Sequence, residues 1–146
     1  GPLLADLQVS TTGTDADYVV KLIDVHPEDA VATVAHAKEV MLGGYQMLVR
    51  GEIMRGKFRN SFEKPEPFVP GQVTQVKYEL PDVAHTFKKG HRIMIQVQNS
   101  WFPLADRNPQ KFVDIYTAKE EDFQKAQHRI YHDASHASSL ILTVLK

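Results

Sequence analysis

Residues 18–25 read Tyr-Val-Val-Lys-Leu-Ile-Asp-Val, a stretch that is apolar on both faces except at Lys21 and Asp24. A strand that is covered on both sides fits the middle of a sheet better than its edge. Pro27 follows closely, and because proline has no amide donor it ends the strand. The stretch therefore predicts a central strand and a fold that is built on sheets.

The same two-residue period continues on both sides of this strand. Residues 3–10 alternate between apolar and more polar side chains, which predicts a half-buried strand. We expect one edge of that strand to be unpaired, and an unpaired edge favours dimerisation. Further strand patterns cover residues 45–58, 74–80, 91–98, 126–132 and 138–146. Gly51 and Gly56 interrupt the first of these, where we expect a bulge or a close approach of another group.

The segments between the strands have the chemistry of turns and loops. Residues 11–17 form a turn rich in Thr, Asp and Gly, whose side chains can satisfy local backbone groups. Residues 28–44 are interpreted as a loop that contains one helical turn at most. Residues 63–71 are rich in proline and predict an extended connector.

Helical signals are few. One helical turn is expected over residues 82–87, and a short helix over residues 118–126, because Thr117 and Glu120 have the spacing of a capping box. About seven or eight strands with one or two short helices predict an all-β fold. We interpret it as an antiparallel two-sheet sandwich, either a Greek key or a jelly roll.

Length and composition exclude several classes of protein. The 146 residues suit one domain, which we assign to residues 1–146. Seventeen basic residues against eighteen acidic ones leave no electrostatic footprint for nucleic acid or an anionic membrane. The absence of cysteine excludes disulfides, thiolate catalysis and cysteine-ligated zinc, but leaves the cellular compartment open. The chain enters a strand pattern without an initiator methionine, so we expect a piece of a longer polypeptide.

The sequence contains little catalytic chemistry. A hydrolase serine needs the sharp G-x-S-x-G turn that exposes its hydroxyl beside an oxyanion hole. None of the six serines lies in that motif, and no glycine-rich phosphate loop is found. We therefore predict no catalytic residue and no cofactor.

Three histidines, His128, His132 and His136, recur every four residues. On a helix this spacing would place their imidazoles on one face, where a metal ion could bind. On a strand four residues span roughly 13 Å, too far for two rings to share an ion. Because the surrounding residues have a strand pattern, we favour histidines that face solvent or bond to the backbone, and we predict no metal site.

The candidate binding residues lie in one polar loop. Trp101 and Phe102 are the only adjacent large aromatic residues. Their rings could grip a sugar or a partner domain, or they could close the open end of the sandwich, and the sequence favours neither. Asp106, Arg107 and Asn108 follow, where a self-bonded turn is the favoured interpretation. These five residues are the candidates for an interdomain or ligand-facing surface.

Four groups of segments together resemble a known family. They are Thr14–Asp17 with Val20–Val25, Arg50–Phe62 with Lys64–Pro65, Gly90–Ile93 with Phe102–Pro103 and Asp106–Pro109, and Arg129–His132 with Ser138–Leu142. In this order the chain is similar, over essentially its whole length, to the C-terminal domain of the X-Pro dipeptidyl-peptidase and cocaine-esterase family. Its glutaryl cephalosporin acylase and α-amino-acid ester hydrolase branch is especially similar. The resemblance implies a β jelly roll of the galactose-binding-like type.

The resemblance also implies a function. In that family the Ser-Asp-His triad belongs to an α/β-hydrolase domain that precedes this one, so no catalytic residue carries over. A non-catalytic accessory domain is implied, which packs on the hydrolase domain of its parent chain and helps to shape the substrate cleft. The parent would hydrolyse an ester or amide bond by serine acyl transfer. The alternative is a carbohydrate- or small-ligand-binding module, and self-association is a further alternative for the partner.

Family members usually carry strand material before this point of the domain. We therefore expect that the first strand of the sheet is missing from this chain. The part of the chain with no recognised pattern is residues 28–44, apart from Gly43, Gly44 and Tyr45.

Overall fold

In the computed structural model, which describes residues 1–31 and 40–145, the strands form two antiparallel sheets. The strands are β1 (Leu3–Thr11), β2 (Asp17–Val25), β3 (Gln46–Arg55), β4 (Thr74–Leu80), β5 (Arg92–Gln98), β6 (His128–Asp133), β7 (His136–Ala137) and β8 (Ser139–Leu142). Two 3-10 helices, Gly56–Phe58 and Glu120–Asp122, complete the regular structure of the described residues. The prediction of an all-β, two-sheet antiparallel sandwich is confirmed.

The larger sheet is arranged around β1. Along one edge β1 pairs with β4, from Leu3 opposite Leu80 to Val9 opposite Thr74. Along the other edge β8 and β6 lie end to end, β8 opposite the first half of β1 and β6 opposite the second half. The expectation of an unpaired edge near residues 3–10 is therefore wrong. Alternation shows which face of a strand is buried, but the partner of this edge comes from the opposite end of the chain.

The smaller sheet has the order β3-β2-β5, so β2 is its central strand, as its sequence predicts. Every residue of β2 is buried except Lys21. Its inner face packs into the space between the sheets, and Trp101 lies over Lys21 and Gly51 on the outer face. Both faces of β2 are covered, which explains why its apolar run has no polar side.

The core lies between the two sheets. Alternate residues of β1 and β4 face inward from the larger sheet, and alternate residues of β2 do so from the smaller one. The buried core residues on these three strands are Leu3, Ala5, Leu7, Val9, Tyr18, Val20, Leu22, Val76, Tyr78 and Leu80. Phe68 joins them from the proline-rich connector, because its amide donates to the Thr14 carbonyl and holds that connector against the sandwich.

Gly51 in β3 and Gly56 directly after β3 both lie where an aromatic ring comes close to the backbone. A Cβ at Gly51 would be 2.8 Å from the Trp101 ring, and one at Gly56 would overlap with the Phe68 ring. The register shift in β3 lies nearby but not at either glycine, since Leu22 pairs with Arg50 and Ile23 with Leu48. Close approach, rather than a bulge, is thus the reason for glycine at these two positions.

The helical predictions are largely wrong. Residues 82–87 have no helical turn, because Val83 exchanges backbone hydrogen bonds with Gly1 and packs against the core. In place of a helix over 118–126 only the 3-10 turn Glu120–Asp122 forms. The Thr117 hydroxyl donates to the Asp114 carbonyl of the preceding turn, and it is Asp122 that accepts the amide of Lys119.

The loop predicted over residues 28–44 is described only at its ends. Val31 and Met41 form an isolated antiparallel bridge, and Leu42 donates its amide to the Ala30 carbonyl. The helical turn considered for this loop lies mostly in 32–39, outside the described residues. In the part of the chain that is described, no helix is long and apolar enough to cross a membrane.

Candidate functional site

The five candidate residues lie in the loop that follows β5, and Trp101 is its anchor. The Trp101 ring packs against Gly51 of β3, and the Lys21 ammonium nitrogen lies 4.4 Å from the ring centroid. A cation over an aromatic face is attracted by the ring quadrupole. Trp101 is therefore half-buried against its own sheet, with its ring in contact with Gly51 and Lys21.

Phe102 and Leu104 project from this anchored loop. Their exposed fractions are 64% and 71%. The backbone beneath them is held by the Ala105 amide, which donates to the Trp101 carbonyl at 3.0 Å, and by the Arg55 guanidinium, which donates to the Asp106 carbonyl at 3.2 Å. Two large apolar side chains are thus presented to solvent on a loop with internal hydrogen bonds.

The Asn108 side chain is buried inside the domain rather than exposed on its surface. Its amide donates to the Asp17 carboxylate at 2.7 Å, and both side chains are buried. Arg55 lies 3.5 Å from the other oxygen of Asp17. Burial raises the pKa of Asp17 to about 6, although the Asn108 hydrogen bond and the Arg55 charge act in the opposite direction. The self-bonded turn predicted for this segment is found at Asn108, whose side-chain oxygen accepts the Gln110 amide at 2.7 Å.

Arg107 lines a shallow depression at the same end of the sandwich. The depression has a volume of about 370 Å³ and is also lined by Asn108, Phe123 and His128. The Arg107 guanidinium carbon lies 5.4 Å from the centroid of the Phe123 ring. Of the five candidate residues, Arg107 and Asn108 meet here, whereas Trp101 packs on the sheet.

The three periodic histidines do not come together. His128 and His132 lie on β6, and His136 lies on β7 of the hairpin that follows. Burial lowers the pKa of His128, and His136 bonds to Asp133 at 3.2 Å. Among the described residues, these three histidines form no metal-ligating group.

No hydrolase-type nucleophile is assembled in the described part of the chain. The hydroxyls of Ser10, Ser61, Ser100 and Ser138 bond to Tyr131 or to backbone groups, and no serine hydroxyl of the described residues bonds to an imidazole. A serine nucleophile needs a histidine base within hydrogen-bond reach. Residues 1–31 and 40–145 therefore lack the geometry for serine acyl transfer.

A cluster that no sequence pattern indicates lies at the other end of β2. The Asp24 carboxylate is 2% exposed and accepts hydrogen bonds on both oxygens. His85 Nε2 lies 2.8 Å from Oδ2, and His91 Nδ1 lies 2.7 Å from Oδ1. The His26 ring lies 4.7 Å from the His91 ring, centroid to centroid. We call Asp24, His26, His85 and His91 the Asp24 cluster.

The electrostatics of the Asp24 cluster favour a charged carboxylate. Burial alone would raise the pKa of Asp24, but hydrogen bonds from His85 and His91 outweigh burial and hold that pKa below its ordinary value. The pairing of β2 with β5 brings the members together, since Val25 lies opposite Arg92 and so His26 and His91 meet at the sheet end. No spacing pattern in the sequence indicates the Asp24 cluster, because its residues are up to 67 positions apart.

Fold and site together define a class of protein. The chain is an antiparallel β-sandwich whose described residues hold no assembled nucleophile and whose anchored loop presents apolar side chains. Residues 1–141 match the family of the X-Pro dipeptidyl-peptidase C-terminal non-catalytic domain, and the chain belongs to that family. The resemblance of the sequence to it is thereby confirmed.

Similar proteins are several times longer than this chain. The chain is 29% identical over 146 residues to a cocaine esterase of Rhodococcus sp. (strain MB1 Bresler), and covers 23% of it. Among solved structures, an aminopeptidase of a marine sediment Thaumarchaeota archaeon is 45% identical over 96% of this chain, with a TM-score of 0.86. An α-amino acid ester hydrolase structure has the same identity, coverage and TM-score. The chain spans 22% of each of those two proteins.

Proposed function

We propose that this chain acts as the C-terminal accessory domain of a longer serine hydrolase, packs on the catalytic domain and helps to shape its substrate cleft. The proposal extends the family membership, which gives a non-catalytic domain. The parent would cleave ester or amide bonds, in line with the ester hydrolase, the cocaine esterase and the aminopeptidase that are similar to this chain.

The observation that carries the packing proposal is the pair Phe102 and Leu104. Isolated exposed apolar residues are ordinary on a protein surface, but two large ones on an anchored loop resemble the centre of an interface. Because the loop backbone is already held by Arg55 and Trp101, docking would cost little conformational entropy. A rigid apolar loop of this kind suits a neighbouring domain better than solvent.

The test uses the full-length parent chain and the double variant Phe102→Ser with Leu104→Ser. In the unmodified protein we expect the two domains to unfold in one calorimetric transition, because each stabilises the other. In the double variant we expect two separate transitions and a lower kcat/KM, since the cleft loses part of its wall.

The matched control is Phe62→Ser. Phe62 is 77% exposed, but it lies in the connector after β3 and stacks on Phe58. This variant should keep the single transition and the activity. If the double variant unfolds and turns over substrate as the control does, Phe102 and Leu104 do not form the interdomain contact.

Ligand binding is the second candidate, and the depression beside Arg107 is the feature that favours it. It is lined by Arg107, Asn108 and the partly exposed Phe123 ring, a combination of donors with an aromatic face. A glycan array probed with the 146-residue chain tests this function. A signal that is lost in Arg107→Ala supports it, and an empty array removes it.

A further inference from the structure

We propose that the Asp24 cluster is a binding site for a divalent transition-metal ion of the zinc class, with Asp24, His26 and His91 as ligands. The chemistry of the site supports this proposal, because imidazole nitrogen and carboxylate oxygen are the ligands that zinc takes in the absence of cysteine. The site lies away from the Phe102 loop and does not depend on the proposed docking.

The first supporting observation is the mutual distance of the ligand atoms. One ligand atom from each of Asp24, His26 and His91 lies within 4.8 Å of those of the other two. Two ligands of one tetrahedral zinc ion lie roughly 3.4 Å apart, since each is about 2.1 Å from the metal. To reach this spacing, the Asp24 and His91 atoms, now 2.7 Å apart, would have to separate slightly and the His26 ring would have to turn toward them.

The second observation is the position of His85. Its Nε2 atom bonds to Oδ2 of Asp24, whereas Oδ1 faces His91. Metal-ligating carboxylates are themselves usually hydrogen-bonded by an outer residue, which fixes their orientation. His85 is thus a positioning residue, and its ring is held edge-on against Phe87 at 4.8 Å between centroids.

The third observation is charge and access. The cluster contains one carboxylate and three imidazoles, so with neutral rings it has a net charge of −1 and attracts a cation. The side chains of His85 and His91 are 20% and 13% exposed, which leaves a route for an ion from solvent. An ion bound to Asp24 and His91 replaces the proton that these two side chains share.

A bound ion would join two parts of the chain, the end of β2 and the connector that leads into β5. Asp24 and His26 lie at the end of β2, His91 directly precedes β5, and His85 lies in the connector between β4 and β5. Because the ion binds the folded chain only, it would stabilise the fold by mass action. One coordination position remains for water or for a group of another molecule.

The test titrates the tag-free 146-residue chain with Zn²⁺ by calorimetry and with Co²⁺ by visible absorption. We expect one ion per chain, Co²⁺ bands typical of nitrogen and oxygen ligation, and a Tm several degrees higher with Zn²⁺. His26→Ala should weaken binding at least tenfold and remove the gain in Tm. His85→Ala should weaken binding about tenfold while the Co²⁺ bands persist, as expected for an outer partner.

The matched control is His132→Ala, which removes an exposed histidine of β6 and should bind like the unmodified chain. Far-UV circular dichroism checks that each variant is folded, and His26→Gln replaces His26→Ala if that variant is not. Absence of stoichiometric binding in the unmodified chain overturns the proposal. Equal affinity in the folded His26 variant, or loss of binding in His132→Ala, also overturns it.

Discussion

At the scale of single residues, a cluster of buried polar side chains surrounds the start of β2. Asp15 accepts the amides of Ala16 and Lys57 at 2.8 and 3.2 Å, and Asp17 accepts the side-chain amide of Asn108. Burial raises the pKa of both carboxyls. Such groups keep a connector in place, but they make the stability of the fold depend on pH.

The pH dependence can be assigned to Asp17 with one variant. Its pKa is about 6 in the folded chain, against 3.8 for an unperturbed aspartate, so the native chain binds the proton more tightly than the unfolded chain does. The stability contribution of Asp17 is therefore fully present below pH 3.8 and is lost as the pH rises through 6. Relative to Asp17→Asn, the unmodified chain should gain roughly 2 kcal/mol in free energy of unfolding between pH 7 and pH 4.

Urea unfolding at pH 7, 5.5 and 4 measures this difference. The control Asp82→Asn removes an exposed carboxylate, and its profile should run parallel to that of the unmodified chain. Parallel profiles for Asp17→Asn as well would contradict the assignment to Asp17.

A second residue-scale prediction concerns Gly51. A Cβ there would come within 2.8 Å of the Trp101 ring and 3.2 Å of the Lys21 side chain. Because both neighbours are side chains, Gly51→Ala should displace the ring rather than unfold β3, at a cost of about 1–3 kcal/mol. Trp101 is the only tryptophan, so its fluorescence emission should shift to the red.

Gly71→Ala is the control for this measurement, because a Cβ at Gly71 meets nothing within 4 Å. Its backbone has a φ of +78°, so the variant loses stability through backbone strain alone. The tryptophan emission of this control should stay unchanged. An unshifted emission in Gly51→Ala would show that the ring does not pack on β3 as described.

At the scale of elements, the C-terminal strand β8 protects the fold. It covers the edge of β1 between Leu3 and Asp6, and Leu140 and Leu142 pack against the core. An exposed strand edge presents unpaired backbone groups to other chains. The pairing of β8 with β1 therefore removes this part of the β1 edge as a place where another chain could pair.

Deletion of residues 139–146 tests the role of β8. We expect lower stability and a larger apparent mass by light scattering, since the open edge of β1 pairs with another chain. Deletion of residues 144–146, which lie beyond β8, should leave the mass unchanged. The same mass for both truncated chains would mean that β8 does not guard this edge.

At the scale of the whole molecule, the sandwich carries no hydrolytic centre among its described residues. We expect the 146-residue chain to show no turnover of p-nitrophenyl esters above buffer and no labelling by a fluorophosphonate probe. The physical reason is that no serine hydroxyl there bonds to a histidine base. Turnover that persists after repeated purification and disappears in a single serine variant would contradict this expectation.

Much of this architecture could be predicted from the sequence, but the positions of particular residues could not. The double-sided apolar run of β2 predicted a central strand, and the absent nucleophile motif predicted a chain without serine catalysis. Phe68 was hidden in a proline-rich connector, because a core residue outside a strand has no periodicity to reveal it. The Asp24 cluster was missed for a related reason, since its members come from the end of β2 and from the distant connector between β4 and β5.

The amino-acid sequence by itself determined the class of fold, the buried faces of β1, β2 and β4 and the family of this protein, because these depend on local alternation and on ordered motifs. Only the tertiary structure decided which edges of β1 are paired, that Trp101 closes on Gly51, and that three histidines surround Asp24. The physical reason is that strand register and sheet order are set by contacts between residues far apart in the chain. The periodicity of side chains along one strand does not depend on those contacts and so cannot predict them.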